Sequence, residues 1–310
     1  MGIDVRSLRH VIAVRDHGSF AKAADALGVS QPNLSRSVAR LEDELKLKIF
    51  DRTAKGSALT PIGELIVERA EAVIAETRDL GRDAALLAGG ETGIVRIGCT
   101  TALTTPLLLP LVQRIVKRHP GLRVHAEAGV SARMLPLLAA RELDVVFCGA
   151  APVDTGATAY VVQHILETPA IFVASPSHPL ASERGISIAR LAEFKCGGSQ
   201  SPGSSNARLI GIESENLGHY TASHYELVLP LVLSGDAVVL APTFVVKPYL
   251  EAGDMVMLDV QWRYESRFHF VTTRAASFSP IVVEIREHAR AIGDQLRDDW
   301  RDVAGQFLDR

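Results

Sequence analysis

The chain is 310 residues long, 47% hydrophobic and 22% charged, with a net charge of −3 at pH 7, a balance that excludes a disordered chain and provides for two or three folded domains. No uncharged apolar run nears the roughly 20 residues that span a bilayer, and Asp4, Arg6 and Arg9 interrupt any basic-then-apolar leader, so the expectation is a protein of the prokaryotic cytoplasm with no membrane partner. Three sparse cysteines and ten histidines without zinc-ligand spacing, with no Gly-rich phosphate loop or Gly-x-Ser-x-Gly elbow, exclude a disulfide scaffold and leave no expected metal, cofactor or catalytic residue.

The first informative stretch is residues 19–36, which read as a short Ala-rich helix, a tight turn at Gly28 and a second helix starting after Ser30. The Ser30 hydroxyl is expected to cap a first-turn amide, and Pro32 sits where a missing N–H costs little. A helix-turn-helix whose second helix, about 31–44, exposes Gln31, Asn33, Ser35 and Arg36 suits hydrogen bonding to base edges in a major groove, with Pro32 shaping the apolar contact. The competing reading is a plain helical hairpin with a solvated face. Residues 49–52 and 57–60 then read as two short strands around a Lys-Gly turn, a wing on which Arg52 and Lys55, with Arg40 on the helix, suit phosphate contact. Residues 1–60 hold ten Lys and Arg against seven Asp and Glu, a local charge of +3 in a chain of −3.

These residues resemble the LysR-type transcriptional regulators, through Phe20, Ala23-Ala24, Leu27, Ser30-Gln31-Pro32, Leu34-Ser35, Leu41-Glu42, Leu45, Phe50, Arg52, Leu59-Thr60 and Gly63. Asn33 replaces a small apolar residue common in that pattern, and Lys46 replaces a common glycine. The resemblance implies an α+β multi-domain chain: an all-α winged helix-turn-helix (1–60, with the helix-turn-helix about 20–39), a long linker helix, and a two-lobed α/β effector domain of the type 2 periplasmic-binding-protein kind. Its implied partners are double-stranded promoter DNA, a small-molecule effector, further copies of the chain up to a tetramer, and RNA polymerase.

Within 61–87, Ile66, Ala70, Val73, Thr77, Leu80, Ala84 and Leu87 follow a 4-3-4-3-4-3 spacing. That heptad stripe predicts a helix about 40 Å long that pairs with a second copy, or else packs on its own domain. Its outward charges are mostly acidic and belong away from phosphates. Residues 88–93 read as a hinge.

Beyond the hinge the pattern alternates strand and helix: strands at 94–99, 122–128 and 144–148 with helices at 106–117 and 131–140 predict a parallel sheet. A second unit follows with strands at 170–174, 195–198 and 237–241 and helices at 188–193 and 226–234, and a strand at 267–273 and helix at 281–292 return to the first. Two lobes result, 93–160 with 268–300 and 161–267, and the effector domain runs over 93–300. Ligands in such folds sit beyond the carboxyl ends of strands, which selects Thr100, Thr101, Gly129, Val130, Ser131, Phe147 and Cys148 in one lobe and Ser201, Gly203, Ser223 and His224 in the other. Hydroxyls at helix starts favour an anion, by resemblance an organic or aromatic acid; the alternative is that they only cap helices. Two rival functions stay open, a solute-binding protein acting without DNA and a redox-sensing regulator using Cys99 and Cys148. An enzyme is not expected.

Overall fold

The structure, a computed structural model, describes residues 3–53, 56–87, 93–149, 160–199 and 217–308. The chain divides into two compact units, Met1–Ala84 and Ala85–Arg310.

The amino-terminal unit begins with α1 (Val5–His17), capped by Asp4, whose carboxylate accepts from the Ser7 amide at 2.7 Å. Gly18 ends it at φ 67°, in the left-handed region glycine tolerates. Helix α2 (Phe20–Leu27) is capped by Ser19 at 3.2 Å and closed by Gly28 at φ 64°. The next helix, α3 (Gln31–Leu45), departs from expectation at its start: the Ser30 hydroxyl makes no capping bond, and only its carbonyl engages the first turn, through Asn33 and Leu34. Lys46 ends α3 in the left-handed region at φ 56°, so the missing glycine noted in the sequence leaves a strained but regular helix end. Val11 and Val14 of α1, Ala23 and Ala24 of α2 and Leu34, Val38 and Leu41 of α3 are each at most 2% exposed. The two alanines are small enough to let three helices share one core.

The wing is an antiparallel pair, β1 (Phe50–Thr53) and β2 (Gly56–Leu59), with Phe50 opposite Leu59. It is tied to α3 by Glu42, a buried carboxylate that accepts from the Ile49 and Phe50 amides at 2.8 and 3.1 Å and from Lys48 Nζ at 2.7 Å. Burial alone would raise the Glu42 carboxyl, yet the bonds from Lys48, Phe50 and Ile49 outweigh it and hold the group below its ordinary value. Thr60 completes the knot: its hydroxyl donates to the Lys48 carbonyl at 2.6 Å and accepts from the Gly63 amide at 2.9 Å. A Cβ on Gly63 would stand 2.1 Å from the Ile49 carbonyl oxygen, so no side chain fits there.

Helix α4 (Pro61–Leu87) covers the predicted linker span. Its heptad stripe is divided, however. Ile66 and Ala70 pack onto their own unit's core, whereas Val73 and Leu80 are 46% and 69% exposed.

The carboxy-terminal unit is built on one sheet in the order β4-β3-β5-β11-β6-β9-β7-β8, with β10 beside β6. Strands β3 (Gly93–Thr100), β4 (Leu122–Gly129) and β5 (Val145–Cys148) are parallel. Two long strands, β6 (Tyr160–Ala174) and β11 (Tyr264–Thr273), run antiparallel and carry the sheet onward to β9 (Val238–Pro242), β7 (Cys196–Ser199) and β8 (Leu217–Ala222). Strand β10 (Val256–Met257) completes it. One face of the first half packs on α5 (Leu109–Arg118) and α10 (Pro280–Leu308), through Leu111, Ile115, Ile285 and Ala289. The other face packs on α6 (Ser131–Ala139) through Met134 and Leu138. In the second half α7 (Ile188–Leu191) covers one face and α8 (Leu229–Leu233) and α9 (Thr243–Ala252) the other.

Several expectations are corrected. The strands foreseen at 170–174 and 267–273 begin at Tyr160 and Tyr264. The helix foreseen at 226–234 breaks into a turn at Tyr225–Leu227 and α8, with Pro230 in its first turn. The helix foreseen at 106–117 is regular only from Leu109, after two irregular turns. Helix α9 and strands β8 and β10 were not foreseen.

Candidate DNA-reading face and effector edge

Because Leu34, Val38 and Leu41 point inward, α3 turns Gln31, Pro32, Asn33 and Arg36 to solvent and leaves Ser35 half-buried. Arg36 donates from Nη2 to Asn33 Oδ1 at 2.5 Å and from Nε to the Pro32 carbonyl at 3.3 Å. Three predicted residues are thus gathered into one patch, and the guanidinium is held against the first turn instead of sweeping freely, which reduces the entropy it loses on contact. Arg40 lies on the same outer side but is engaged: its Nη2 reaches Asp4 Oδ2 at 2.6 Å. The Ser7 amide first, and Arg40 behind a small opposing burial effect, keep the Asp4 carboxyl below its usual value. One aspartate therefore caps α1 and tethers α3, a double role that the sequence concealed because the pair lies 36 residues apart. Arg52 lies in β1 but its side chain is outside the described residues, as is Lys55 entirely.

In the first half of the sheet the order β4-β3-β5 reverses around β3, the topology that opens a crevice at the carboxyl ends of its strands. Thr100, Gly129 and Cys148 are the last residues of β3, β4 and β5. Thr101 follows Thr100, both more than nine-tenths buried, and Val130, extended at ψ 146°, leads into Ser131 at the start of α6. The row continues with two residues that sequence reasoning missed: His269 of β11 pairs with Cys148 on one side and His164 of β6 on the other. The two rings meet edge to face at 5.9 Å. Burial first and the neighbouring His164 next push the His269 ring below its ordinary value. Among the described residues, Thr100 Oγ1, Thr104 Oγ1 and His269 Nδ1 are buried with no hydrogen-bond partner, a debt native structures leave where a ligand or water is to bind. No local pattern marks a lone histidine in a strand, so nothing in the sequence could single out His269.

Two predicted residues fare differently. Phe147 and Cys148 are 0% exposed; Phe147 lies in the core against Phe270, at 5.9 Å between rings, and Cys148 points to the opposite face among Met134 and Leu138. Helices cover both faces of β5, so its side chains are consumed by packing and only its backbone reaches the edge. In the second half, Ser223 and His224 follow β8 and bond each other at 2.9 Å. Ser201 and Gly203 lie outside the described residues.

All three cysteines are free and buried. Cys99 and Cys148 belong to cores on opposite faces of the sheet. Burial, reinforced by the Cys148 thiol, raises Cys99 far above an ordinary thiol, and burial pushes Cys196 up to about 12. Such groups stay protonated and unreactive. Among the described residues no cluster of His, Cys, Asp or Glu could hold a metal ion, and no helix is long and apolar enough to cross a membrane.

Comparison with known proteins matches both units. Residues 5–64 match the bacterial regulatory helix-turn-helix of the lysR family, and residues 88–293 match the LysR substrate binding domain. The RuBisCO operon transcriptional regulator of Allochromatium vinosum is 29% identical over 296 residues, covering 93% of this chain and 95% of that protein. ArgP from Mycobacterium tuberculosis has the same fold, with a TM-score of 0.69 at 16% identity over 94% of this chain and 98% of its own. LysG from Corynebacterium glutamicum, solved with arginine as bound effector, scores 0.65 at 18% identity over 94% and 99%. With family matches running through the capped three-helix core and the two-lobed sheet alike, the chain belongs to the LysR family of bacterial transcriptional regulators.

Proposed function

We propose that this chain binds promoter DNA through the exposed face of α3 and that a small organic acid, bound at the carboxyl ends of β3–β5, sets its attachment. The observation that carries the DNA half is the patch of Pro32, Asn33 and Arg36, presented by a helix whose other side buries Leu34, Val38 and Leu41. Gln31 and Ser35 flank it, and Arg52 and Lys55 of the wing, with Arg40, supply phosphate contacts. A gel shift against the intergenic region upstream of the chain's own coding sequence tests this. Arg36→Ala is expected to weaken specific binding by about 1–3 kcal/mol and to relax base preference. Equal affinity of wild type and variant for that fragment would sink the assignment.

The effector half rests on the buried, unpartnered Thr100 Oγ1 and His269 Nδ1 at the sheet edge. Thr101, Gly129, Val130 and Ser131 complete one side, with Ser223 and His224 on the other lobe; Ser201 and Gly203, expected there from the sequence, lie outside the described residues. A thermal-shift screen of aromatic and aliphatic acids identifies the ligand, because binding to the folded form raises its melting point. Thr100→Val separates ligand binding from packing. Removing an unsatisfied hydroxyl is expected to stabilise the unliganded protein by about 1 kcal/mol, while the melting shift given by the hit disappears. A retained shift would show that the acid binds elsewhere.

Assembly follows from α4: the exposed Val73 and Leu80, with Ile62 and Leu65 at 38% and 45%, form the surface for a second copy. A tetramer on two half-sites and contact with RNA polymerase complete the reading by family likeness. The burial of both thiols disfavours redox sensing by Cys99 and Cys148. The winged unit disfavours a solute receptor that ignores DNA, and no catalytic role is assigned.

A further inference from the structure

A second recess adjoins the strand row described above, sharing His164 with it. Strand β6 pairs with β11 throughout its first half, but its other side meets a strand only from Ala170 onward, at β9. Residues 160–166 are therefore a free sheet edge among the described residues. The register slips there: Leu166 faces Phe268 and His164 faces His269, so Ile165 has no counterpart. Helix α10 crosses this bulge at Gly293, where an added Cβ would lie 2.2 Å from the Ile165 carbonyl oxygen. Around the close approach lies a recess of about 390 Å³, floored by Gln163, His164 and Ile165 and walled by α10.

The wall is what gives the recess a chemistry. Arg286, Arg290 and Arg297 line it, and at 100° per residue they fall within about 40° of one another on the helix. Asp294 is the carboxylate in the lining, and it already pairs with Arg297 at 3.0 Å. Among the described residues neither Arg286 nor Arg290 has an ion-pair partner. Of the nearby acids, Glu167 bonds Arg267 at 2.6 Å and Glu284 pairs with Arg118 and His119 at 3.1 and 3.0 Å, while Glu287, beside Arg286 in sequence, is exposed on the helix. Three guanidiniums against one paired carboxylate, in a concave site with a glutamine amide at its floor, match oxygen-rich anions through forked bonds. Arg290 and Arg297 are two turns apart, about 10 Å along the axis, which suits a ligand carrying more than one charged group.

We propose that this recess, which adjoins the effector edge at His164 but is walled by α10, is a second ligand site selective for a compact polyanion bearing phosphate or several carboxylates. Isothermal titration of the full-length protein with inorganic pyrophosphate and, in a parallel arm, citrate tests it and separates the two chemistries. Saturable binding of at least one is expected, weakening as chloride rises. The double variant Arg286→Ala/Arg290→Ala is expected to lose at least tenfold in affinity with little change in melting point, since among the described residues neither side chain makes an ion pair or a side-chain hydrogen bond. Thr100→Val must leave this binding intact, so failure of the recess and failure of the effector edge read out separately. Absence of saturable binding for both probes, or equal affinity in the double variant, overturns the proposal.

Discussion

Glu42→Ala is expected to destabilise the amino-terminal unit by about 3–5 kcal/mol, the loss typical of a buried charged acceptor whose partners are left unpaired. Two wing amides and the Lys48 ammonium converge on that carboxylate, and removing it frees β1 from α3. Both tryptophans, Trp262 and Trp300, fall in the carboxy-terminal unit. Tryptophan fluorescence therefore follows one unit, while far-ultraviolet circular dichroism follows both. Denaturation of the variant should show an early loss of helix with an unchanged fluorescence transition, and operator binding should go with the early phase. Coincident transitions matching the wild type would refute the knot. The pH dependence has a definite sign: the folded carboxyl sits below its unfolded value of about 4.3, so its contribution is full above that pH and is lost as the pH falls through the folded value. The gap between wild type and Glu42→Gln should accordingly close in acid.

Gly293→Ala sets two effects against each other. Alanine favours a helix over glycine by about 1 kcal/mol, but its Cβ would stand 2.2 Å from the Ile165 carbonyl oxygen. Overpacking of that kind costs about 3 kcal/mol when backbone must move, so a net loss of about 2 kcal/mol is expected in the carboxy-terminal unit. A lower fluorescence-detected midpoint checks it. A higher midpoint would mean that helix propensity wins and α10 does not rest on the bulge.

What could be read in the chain and what could not divide along sequence separation. The turn at Gly28, the apolar spacing of Leu34, Val38 and Leu41, and the span of α4 are local, and a few neighbouring residues decide them. The Arg40–Asp4 pair and the Glu42 knot join residues from different elements, so no spacing announces them. Ser30 misled because a favoured residue type does not oblige its hydroxyl to bond. Helix α9 was missed because residues 243–252 are apolar on most sides and carry Pro248, which blurs any helical period. The first half of β6 was missed because Gln163, His164 and Glu167 interrupt its apolar run. Thr100 and Thr101 could be placed at a strand end from the strand-helix order alone, whereas the position of His269 beside them needed the strand register.

Ten residue pairs, interrupted once by the bulge at Ile165, join β6 to β11, and this ribbon carries the sheet from one lobe into the other. The lobes are thus connected by a braced plank instead of loose cords. Such a plank shears poorly and twists readily, so any reorientation of the lobes should be a small screw motion shared along its whole length. Torque applied at one end would arrive at the other with little delay or slack.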